Sequence, residues 1–570
     1  MKEFAYLDGG LEVVVPDEIE ELKAPNDEHY LVSNSPNLKA EIYAPEIDFY
    51  LKNSKDDILQ KAKNLNILYE ARASVFDLAK DMDYEKNVGK NVISISDKER
   101  TNLSETLKQN GYKVINLTHA EVKFLYGEIG DLYTTVLSAN DEFEVKSDFV
   151  LVDGIKEYML RQSGTLDISI LTDEEILKYL DEKTPVYYYK SAITYDDKIC
   201  QYHKRRSEHC TKCVDICPTV AILKDDEKKE LVFSHIDCVG CGGCVSVCPS
   251  GAIDYAKMPS EAFYDMALKF KDKKIVITPR IMDLETCDVV LDEGVLPFTI
   301  EGEKFLSQTH FMALLQESGA NLIFFSDVIA PGVKESIELV NQIIKAKFNE
   351  VGILVAKDET QLRKELKELK FIDGLKFHMN ERTLSKREIF SKRVLHIVGD
   401  DDLGVAKSGE WVRYGKVSID ESTCTLCLSC VGACNVAALI ADESDNSIKF
   451  NASLCTTCGY CVQSCAEKET IFLERGEIEL KKEYFEYQTL AKDELFKCIE
   501  CGKEFATTKS ILKIANMMTP LFGNDTDRIK TLYCCSECKA KVMIQKQIKE
   551  AKEMQDKILK ESKWKIKIWL

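Results

Sequence analysis

The sequence Cys424-x2-Cys427-x2-Cys430-x3-Cys434 is followed by Cys455-x2-Cys458-x2-Cys461-x3-Cys465. Three cysteines spaced by three residues in a tight loop direct their thiolates toward one iron–sulfur cube, and the fourth cysteine, one turn further on, binds the neighbouring cube. The two runs are therefore interpreted together. One [4Fe–4S] cluster is predicted on Cys424, Cys427, Cys430 and Cys465, and another on Cys455, Cys458, Cys461 and Cys434.

The alternative for these eight cysteines is a pair of zinc sites. Closed structural zinc sites use four cysteines in one tetrahedron, without the exchange of fourth ligands that this pattern implies. The doubled eight-cysteine pattern favours [4Fe–4S] clusters and predicts a bacterial-type dicluster ferredoxin fold.

A second module of the same kind is predicted upstream. It contains the complete run Cys238, Cys241, Cys244, Cys248, followed by Pro249, and the shorter run Cys210, Cys213, Cys217, followed by Pro218. Exchange of the fourth ligands predicts one cluster on Cys238, Cys241, Cys244 and Cys217. The other would use Cys210, Cys213, Cys248 and, after a nine-residue insertion, Cys200.

Cys200 is the least regular of these candidate ligands. If it is only a buried thiol, the cluster with Cys210 has three cysteines and is open-cornered or [3Fe–4S]. No other residue of the segment fills the fourth corner, so we predict that Cys200 is a ligand.

Two further cysteine pairs lie near the carboxyl end. Cys498-x2-Cys501 precedes a glycine, as in zinc-knuckle turns, and Cys535-x2-Cys538 has the same spacing. Four thiolates in two such arms are typical of a closed structural Zn²⁺ site, with a rubredoxin-like iron as the alternative. Cys534 is interpreted as a cysteine outside the site because its spacing does not match the first arm.

Length and charge limit the function further. The chain has 570 residues, 22 cysteines and a net charge of −20. Clustered cysteines in a long chain indicate metal sites rather than disulfides, and together with the lack of a signal pattern or long apolar run they predict a reducing, cytoplasmic location. The acidic charge argues against nucleic-acid binding.

The predicted fold is a multidomain α+β architecture with two small α/β domains, two dicluster ferredoxin modules and a zinc-ribbon-like module with a helical tail. Strands are expected at the apolar runs starting at Asn66, Asn91, Lys113 and Phe149, and a hairpin around Gly127 and Gly130. A small parallel sheet is expected in the centre of the chain. The boundaries are 1–185 (α/β), 190–257 (ferredoxin), 272–372 (α/β), 373–411 (linker), 413–475 (ferredoxin), 495–540 (zinc-ribbon-like) and 541–570 (basic helical tail).

The tail is rich in lysine and contains Trp564 and Trp569. A basic helix with tryptophans is suited to peripheral contact with an anionic membrane or to docking a partner. A helix packed on the zinc-ribbon-like module with a frayed end explains the same sequence.

The stretch from Tyr414 through the Cys424 run to Phe505 and Cys538 closely resembles the large 4Fe–4S dicluster proteins found with bacterial formate dehydrogenase operons. The order of α/β domain, ferredoxin module, α/β domain, ferredoxin module and cysteine-paired tail is also similar. The resemblance implies electron transfer linked to a molybdenum or tungsten formate dehydrogenase.

Three functions follow as hypotheses. The first is a polyferredoxin with four [4Fe–4S] clusters and one Zn²⁺, which relays electrons between formate dehydrogenase and another carrier and has no catalytic residues of its own. The second is a non-catalytic assembly or scaffold factor for that enzyme. The third is an oxidoreductase subunit with flavin in an α/β domain, although no Gly-x-Gly-x-x-Gly or phosphate loop follows a predicted strand.

Overall fold

The computed structural model describes residues 2–11, 13–98, 100–138, 141–154, 157–207 and 209–567. The described residues fall into two units. The first contains the chain up to Tyr414 together with Gly476–Lys482, and the second contains Gly415–Arg475 and the chain from Glu483 onward. Each unit contains one of the two predicted ferredoxin modules.

Residues 2–78 of the first unit form a parallel sheet in the order β2-β1-β3-β4, covered by two helices. Their bounds are β1 Lys2–Leu7, β2 Glu20–Leu22, β3 His29–Ser33, β4 Lys39–Tyr43, α1 Pro45–Asn53 and α2 Ile58–Leu78. The strand predicted at Asn66 is wrong, because this run lies inside α2. Leu65, Leu68, Arg72 and Val75 are buried on α2, and their spacing of three and four residues is helical.

A second parallel sheet, in the order β12-β11-β6-β7, follows, and an antiparallel sheet β10-β9-β8 accompanies it. The strands predicted at Asn91, Lys113 and Phe149 and the hairpin β8–β9 are confirmed. The elements are β5 Asp83–Asn87, β6 Asn91–Ile95, α3 Thr101–Gln109, β7 Lys113–Leu117, β8 Val122–Glu128, β9 Asp131–Ser138, β10 Asp141–Ser147, β11 Phe149–Val152, β12 Thr165–Asp167, α4 Asp173–Asp181 and β13 Val186–Lys190, which pairs with β5.

The ferredoxin module of the first unit comprises short elements around the cysteine loops. Its outer strands β14 and β17 pair antiparallel, as do β15 and β16. The bounds are β14 Ile193–Tyr195, α5 Lys212–Ile216, β15 Ile222–Asp225, β16 Glu230–Phe233, α6 Gly243–Val247 and β17 Ile253–Tyr255.

The central domain contains the predicted parallel sheet, which is confirmed in the order β19-β18-β20-β21. Every residue of β19 and of β20 is buried, as expected for strands covered on both faces. The elements are α7 Ser260–Lys269, β18 Lys274–Pro279, β19 Val295–Ile300, α8 Gln308–Ser318, β20 Leu322–Phe325, α9 Pro331–Phe348, β21 Ile353–Ala356, α10 Glu359–Glu365, α11 Lys386–Val398 and β22 Val405–Lys407.

Residues 2–78 are joined to this central domain by buried polar contacts. The Arg72 guanidinium lies 2.9 Å from a carboxylate oxygen of Glu301. The Asp56 carboxylate accepts a hydrogen bond from the N–H of Gly294 at 2.8 Å, and Asn53 accepts one from Val289 at 3.2 Å. The segment predicted as a single domain, 1–185, therefore contains three sheets of three or more strands, and the part that carries the first of them contacts residues far along the chain.

The segment 373–411, predicted as a linker, also takes part in the core. It contains α11, which is capped by Ser385 and Glu388, each of which bonds the backbone N–H of the other. Arg393 of α11 is 0% exposed and forms an ion pair with Glu317 at 2.8 Å and another with Glu381. Some of the charged residues that predicted a linker therefore belong to a buried ionic network.

The second unit contains the other ferredoxin module and the cysteine-paired carboxyl region. Its elements are β23 Gly415–Ile419, α12 Ser429–Ala433, β24 Leu439–Asp442, β25 Ser447–Phe450, α13 Tyr460–Ser464, β26 Ile471–Arg475, β28 Gln488–Lys492, β29 Leu495–Lys497, β30 Glu504–Thr507, α14 Thr508–Phe522, α15 Thr526–Thr531 and α16 Ser536–Lys567. Between β26 and β28, β27 (Glu477–Glu479) belongs to the first unit and pairs with β22. Strands β23 and β26 pair antiparallel, as do β29 and β30.

Helix α16 contains most of the predicted basic tail. Val542 is buried against the cysteine-paired region, whereas residues 547–561 are all exposed. The side chain of Trp564 and the whole of Trp569 lie outside the described part of the chain. Among the described residues, no helix is both long and apolar enough to cross a lipid bilayer.

Replacing Arg393 with methionine is expected to destabilise the first unit by about 3–5 kcal/mol, because Glu317 and Glu381 would remain buried without their cation. The free energy of unfolding, measured by urea denaturation, tests this. Arg382→Met is the matched control, since Arg382 is 63% exposed in its ion pair with Asp265. This variant should lose no more than about 1 kcal/mol of its free energy of unfolding. Equal losses in the two variants would contradict a special role for Arg393.

Candidate metal centres

Four five-residue helices position the sixteen candidate cluster ligands. In every cysteine run, the third cysteine lies within the helix and the fourth follows its last residue directly. The fourth cysteine is therefore displaced by about one turn from the first three, which allows it to face the neighbouring site. The third and fourth cysteines are Cys213 and Cys217 with α5, Cys244 and Cys248 with α6, Cys430 and Cys434 with α12, and Cys461 and Cys465 with α13.

In the first module the structure brings together the cysteines in the exchanged order. One cavity is lined by Cys217 together with Cys238, Cys241 and Cys244. The proximity of the other four cysteines is evident from the pKa shifts of Cys210 and Cys213. The pKa of Cys210 is raised to about 11, mainly by burial. The neighbouring thiols of Cys248 and Cys200 contribute to the rise, and the N–H of Lys212 and the charge of Arg413 oppose it. Cys213 has a pKa well above its ordinary value through burial and the same neighbours.

Cys200 lies with this second group although its spacing is irregular. It follows a single turn of 3-10 helix, Asp197–Ile199, and is 8% exposed. The backbone N–H of Tyr202 points to its Sγ at 3.4 Å. Burial and the adjacent Cys200 also raise the pKa of the Tyr195 hydroxyl. These contacts favour the interpretation of Cys200 as the fourth ligand over that of an isolated buried thiol.

The second module shows the same exchange. Cys424, Cys427, Cys430 and Cys465 line a single cavity. Burial and then the thiols of Cys455, Cys458 and Cys434 raise the pKa of Cys461, with a smaller contribution from Cys430 of the adjacent group. In both modules, therefore, cysteines of one run lie together with the fourth cysteine of the other run.

Backbone N–H groups surround the sulfur atoms. The N–H of the second residue after Cys238, Cys241, Cys424, Cys427 or Cys455 bonds the Sγ of that cysteine, as Tyr202 does for Cys200. Left-handed residues produce this turn. In the first module they are glycines, Gly240 and Gly242 with φ of 68° and 78°, whereas in the second Leu426 and Leu428 have φ of 49° and 60°. Residues with a Cβ are strained in this region, so the second module stores backbone strain at its cluster loop.

The donor set fits iron–sulfur clusters. Each group contains four cysteines, and nearly all are buried or half-buried. Like charges close together disfavour ionisation of thiols, so four thiolates in one group require strong compensating positive charge. Soft thiolates around such a charge are the ligand sets of [4Fe–4S] clusters, and the surrounding N–H groups are the donors that tune their potentials.

Comparison with known proteins agrees with this geometry. Residues 206–252 and 416–466 each match a family model described as a 4Fe–4S dicluster domain. The chain is 34% identical over 62 residues to the uncharacterized ferredoxin MJ0199 of Methanocaldococcus jannaschii, which covers 11% of this chain and 90% of that protein. The chain belongs to the iron–sulfur ferredoxin family. Its two dicluster domains are ferredoxin-type electron-transfer domains.

Two further relatives are similar over a short stretch of the chain. A tetrathionate reductase subunit of Archaeoglobus fulgidus is 35% identical over 68 residues, 12% of this chain and 29% of that protein. The uncharacterized ferredoxin-like protein YdhX of Escherichia coli K12 is 34% identical over 61 residues, 10% of this chain and 27% of that protein. The chain thus spans less than a third of either relative.

A separate four-cysteine site lies beyond the ferredoxin domains. The Sγ atoms of Cys498, Cys501, Cys535 and Cys538 all lie within 4.8 Å of one another. The Cys501 and Cys535 sulfurs are 3.7 Å apart, and a tetrahedron with Zn–S bonds of about 2.3 Å places its sulfurs about 3.8 Å apart. Cys534 lies outside this group, and its thiol donates to the carbonyl of Lys530 at 3.3 Å.

The electrostatics of this site favour a bound cation. Burial opposes ionisation of Cys498, but N–H groups of Cys535, Cys501 and Glu500 bring its pKa below the ordinary value. Hydrogen bonding with Cys501 and burial raise the pKa of Cys538. The Cys498 thiol is thus prepared to bind as a thiolate, whereas ionisation of Cys538 requires the charge of a metal ion.

Two cations beside the first ferredoxin domain were not found from the sequence. Arg413 points its Nη2 at Cys210 Sγ, 3.8 Å away. Lys386, at the start of α11, donates to the carbonyls of Cys248 at 2.9 Å and Val245 at 3.2 Å. Both residues lie outside the ferredoxin domain in sequence, and nothing in the cysteine pattern indicates them.

A carboxylate fixes the loop that carries Arg413. Glu335 of α9 accepts hydrogen bonds from the backbone N–H groups of Glu410, Trp411 and Val412, at 3.1, 2.7 and 2.8 Å. A Cβ at Gly409 would lie 2.2 Å from the Glu335 carboxyl carbon, so glycine is required for this approach. The loop therefore holds Arg413 in place over Cys210.

A cavity of about 730 Å³ lies beside Lys386 and the backbone near Cys248. Two cations in its wall have partners within the protein. Arg382 pairs with Asp265, and Lys386 donates to the carbonyls described above. The His378 ring contacts the Glu317 carboxylate.

Replacing Arg413 with glutamine is expected to lower the reduction potential of the cluster held by Cys210. The cation stabilises the more negative, reduced state, and its loss should change the reduction equilibrium at least tenfold, which is 59 mV for one electron. A redox titration followed by EPR measures the shift. Arg413→Lys keeps the charge and should retain most of the wild-type potential; unchanged potentials in the glutamine variant would exclude this role.

Cys535→Ser is expected to lose the metal of the four-cysteine site, whereas Cys534→Ser should retain it. Of these two cysteines, Cys535 belongs to the four-cysteine group and Cys534 does not. Three thiolates bind Zn²⁺ more weakly than four. Metal content per chain, measured by mass spectrometry, compares the two variants. Loss of metal from Cys534→Ser but not from Cys535→Ser would reverse the assignment of the ligands.

Proposed function

We propose that the protein is a polyferredoxin with four [4Fe–4S] clusters and one structural Zn²⁺, which relays single electrons between other proteins. The observation that carries this proposal is the assembly of sixteen cysteines into four groups of four by exchange of the fourth cysteine. Zinc is preferred to iron for the group of Cys498, because two Cys-x2-Cys arms are typical of closed zinc sites.

When bound, each cluster supplies a one-electron centre. The chain itself supplies the rest: thiolates hold the cluster, N–H groups and Arg413 set its potential, and burial protects it from water. A relay of this kind needs no general acid, base or nucleophile, so no residue is assigned a catalytic role.

Formate dehydrogenase is the partner that we propose, in the cytoplasm. Its support is the resemblance of the stretch from Tyr414 to Cys538 to proteins found with formate dehydrogenase operons. A reducing compartment suits thiolate-bound clusters, because thiolates stay reduced there. We propose no nucleic-acid contact, in view of the net charge of −20. For the exposed part of α16 we propose peripheral contact with a membrane surface.

Metal analysis and a redox titration test the relay. The protein purified without oxygen should contain about sixteen irons and one zinc per chain. With purified formate dehydrogenase present, formate should reduce its clusters, as followed by EPR, and omission of formate should leave them oxidised.

Other outcomes would change the proposal in defined ways. About eight irons would mean that one module holds no clusters. A full set of clusters that stays oxidised in the presence of formate and the dehydrogenase would exclude the relay for this partner.

A further inference from the structure

One candidate cluster ligand reaches the surface. Of the sixteen cysteines in the two ferredoxin domains, Cys427 alone is exposed, and the other fifteen are buried or half-buried. Its neighbour Leu428 is 40% exposed. The edge of the cluster held by Cys427 is therefore the one most accessible to another protein.

Helix α14 lies directly on the loop that carries Cys427. The hydroxyls of Thr507 and Ser510 both donate to the carbonyl of Thr425, at 2.9 and 2.7 Å. Lys509 donates to the carbonyl of Glu421 at 2.7 Å. The helix is thus fixed against the cluster loop by three hydrogen bonds.

The face of α14 that begins at Ser510 continues as an exposed apolar stripe. Ile514, Met517 and Leu521 follow Ser510 at helical spacing and are 49%, 65% and 74% exposed. The stripe extends about 16 Å from the cluster loop. Contiguous exposed apolar side chains of this kind mark interaction sites.

The chain segment that contains the stripe is basic, although the whole chain is acidic. Residues 508–567 contain 14 lysines and arginines against seven aspartates and glutamates, whereas the chain has a net charge of −20. Helix α14 itself contains no acidic residue. A basic region in an acidic molecule attracts and orients acidic partners, because like charge repels them elsewhere.

We propose that Cys427, Leu428 and the stripe of Ile514, Met517 and Leu521 form the docking surface for an acidic one-electron carrier protein. This inference rests on the proposed relay and identifies the surface where electrons enter or leave the second ferredoxin domain. The apolar stripe provides contact area, the basic residues provide orientation, and Cys427 provides the accessible cluster edge.

An acidic protein fits this surface better than a lipid bilayer. Insertion of the stripe into a membrane would bring the Cys427 thiolate and its cluster toward an apolar medium, where an ionic group is strongly disfavoured. A protein interface instead has an apolar centre with a polar, hydrated rim that can accommodate the charge.

The test uses the full-length holoprotein and a small acidic two-cluster ferredoxin as the probe. Titration calorimetry gives the Kd, and stopped-flow spectroscopy gives the rate of electron transfer from the reduced probe. Met517→Glu should weaken the Kd and slow this transfer at least tenfold, Met517→Gln should have a smaller effect, and added salt should weaken wild-type binding. Ile170→Glu is the matched control, since Ile170 is 88% exposed in the first unit and should leave the Kd within twofold of wild type.

Reduction by dithionite separates this inference from the proposed relay. Dithionite needs no docking surface, so it should reduce wild type and Met517→Glu at equal rates. Clusters that dithionite cannot reduce would defeat the relay, while the Kd still tests docking. No saturable binding of the probe, equal Kd values for Met517→Glu and wild type, or binding only to phosphatidylserine vesicles would each overturn the docking surface.

Discussion

The structure depends on the mutual repulsion of clustered thiolates and on the positive charge that must balance it. Burial raises the pKa of Cys213 and of Cys461, and the neighbouring thiols raise it further. Without compensating positive charge these thiols would stay protonated and could not bind a metal centre. The exchange of the fourth cysteine then joins each pair of groups, so that each domain folds around two centres at once.

The cysteine groups could be predicted because the spacing of the ligands is local in the sequence. A three-residue interval and a fourth cysteine after a single helical turn define each group without knowledge of the rest of the fold. The buried parallel strands of the central domain were equally accessible, since β19 and β20 are uninterrupted apolar segments. The family models and the ferredoxin of Methanocaldococcus jannaschii agree with the prediction of dicluster ferredoxin modules.

Features that depend on contacts between residues far apart in the chain could not be predicted from the sequence. The run at Asn66 predicts a strand because three apolar residues are too few to distinguish the helical period from the strand period. The burial of Leu65, Leu68 and Val75 shows the helix. The segment 373–411 resembled a linker because Arg393 and its partners Glu317 and Glu381 are separated by up to 76 residues. Arg413 was missed for the same reason, since its contact with Cys210 spans 203 positions.

Because Glu335 fixes the loop that carries Arg413, the surroundings of the first domain's cysteines extend beyond that domain. These surroundings include the side chain of Arg413, which follows the central sheet in sequence, and the carboxylate of Glu335 on helix α9. A fragment cut at the borders of the family match, 206–252, would lose Cys200, Arg413 and Lys386 together. The redox behaviour of the first domain is therefore a property of the whole unit and cannot be transplanted with its cysteine motif.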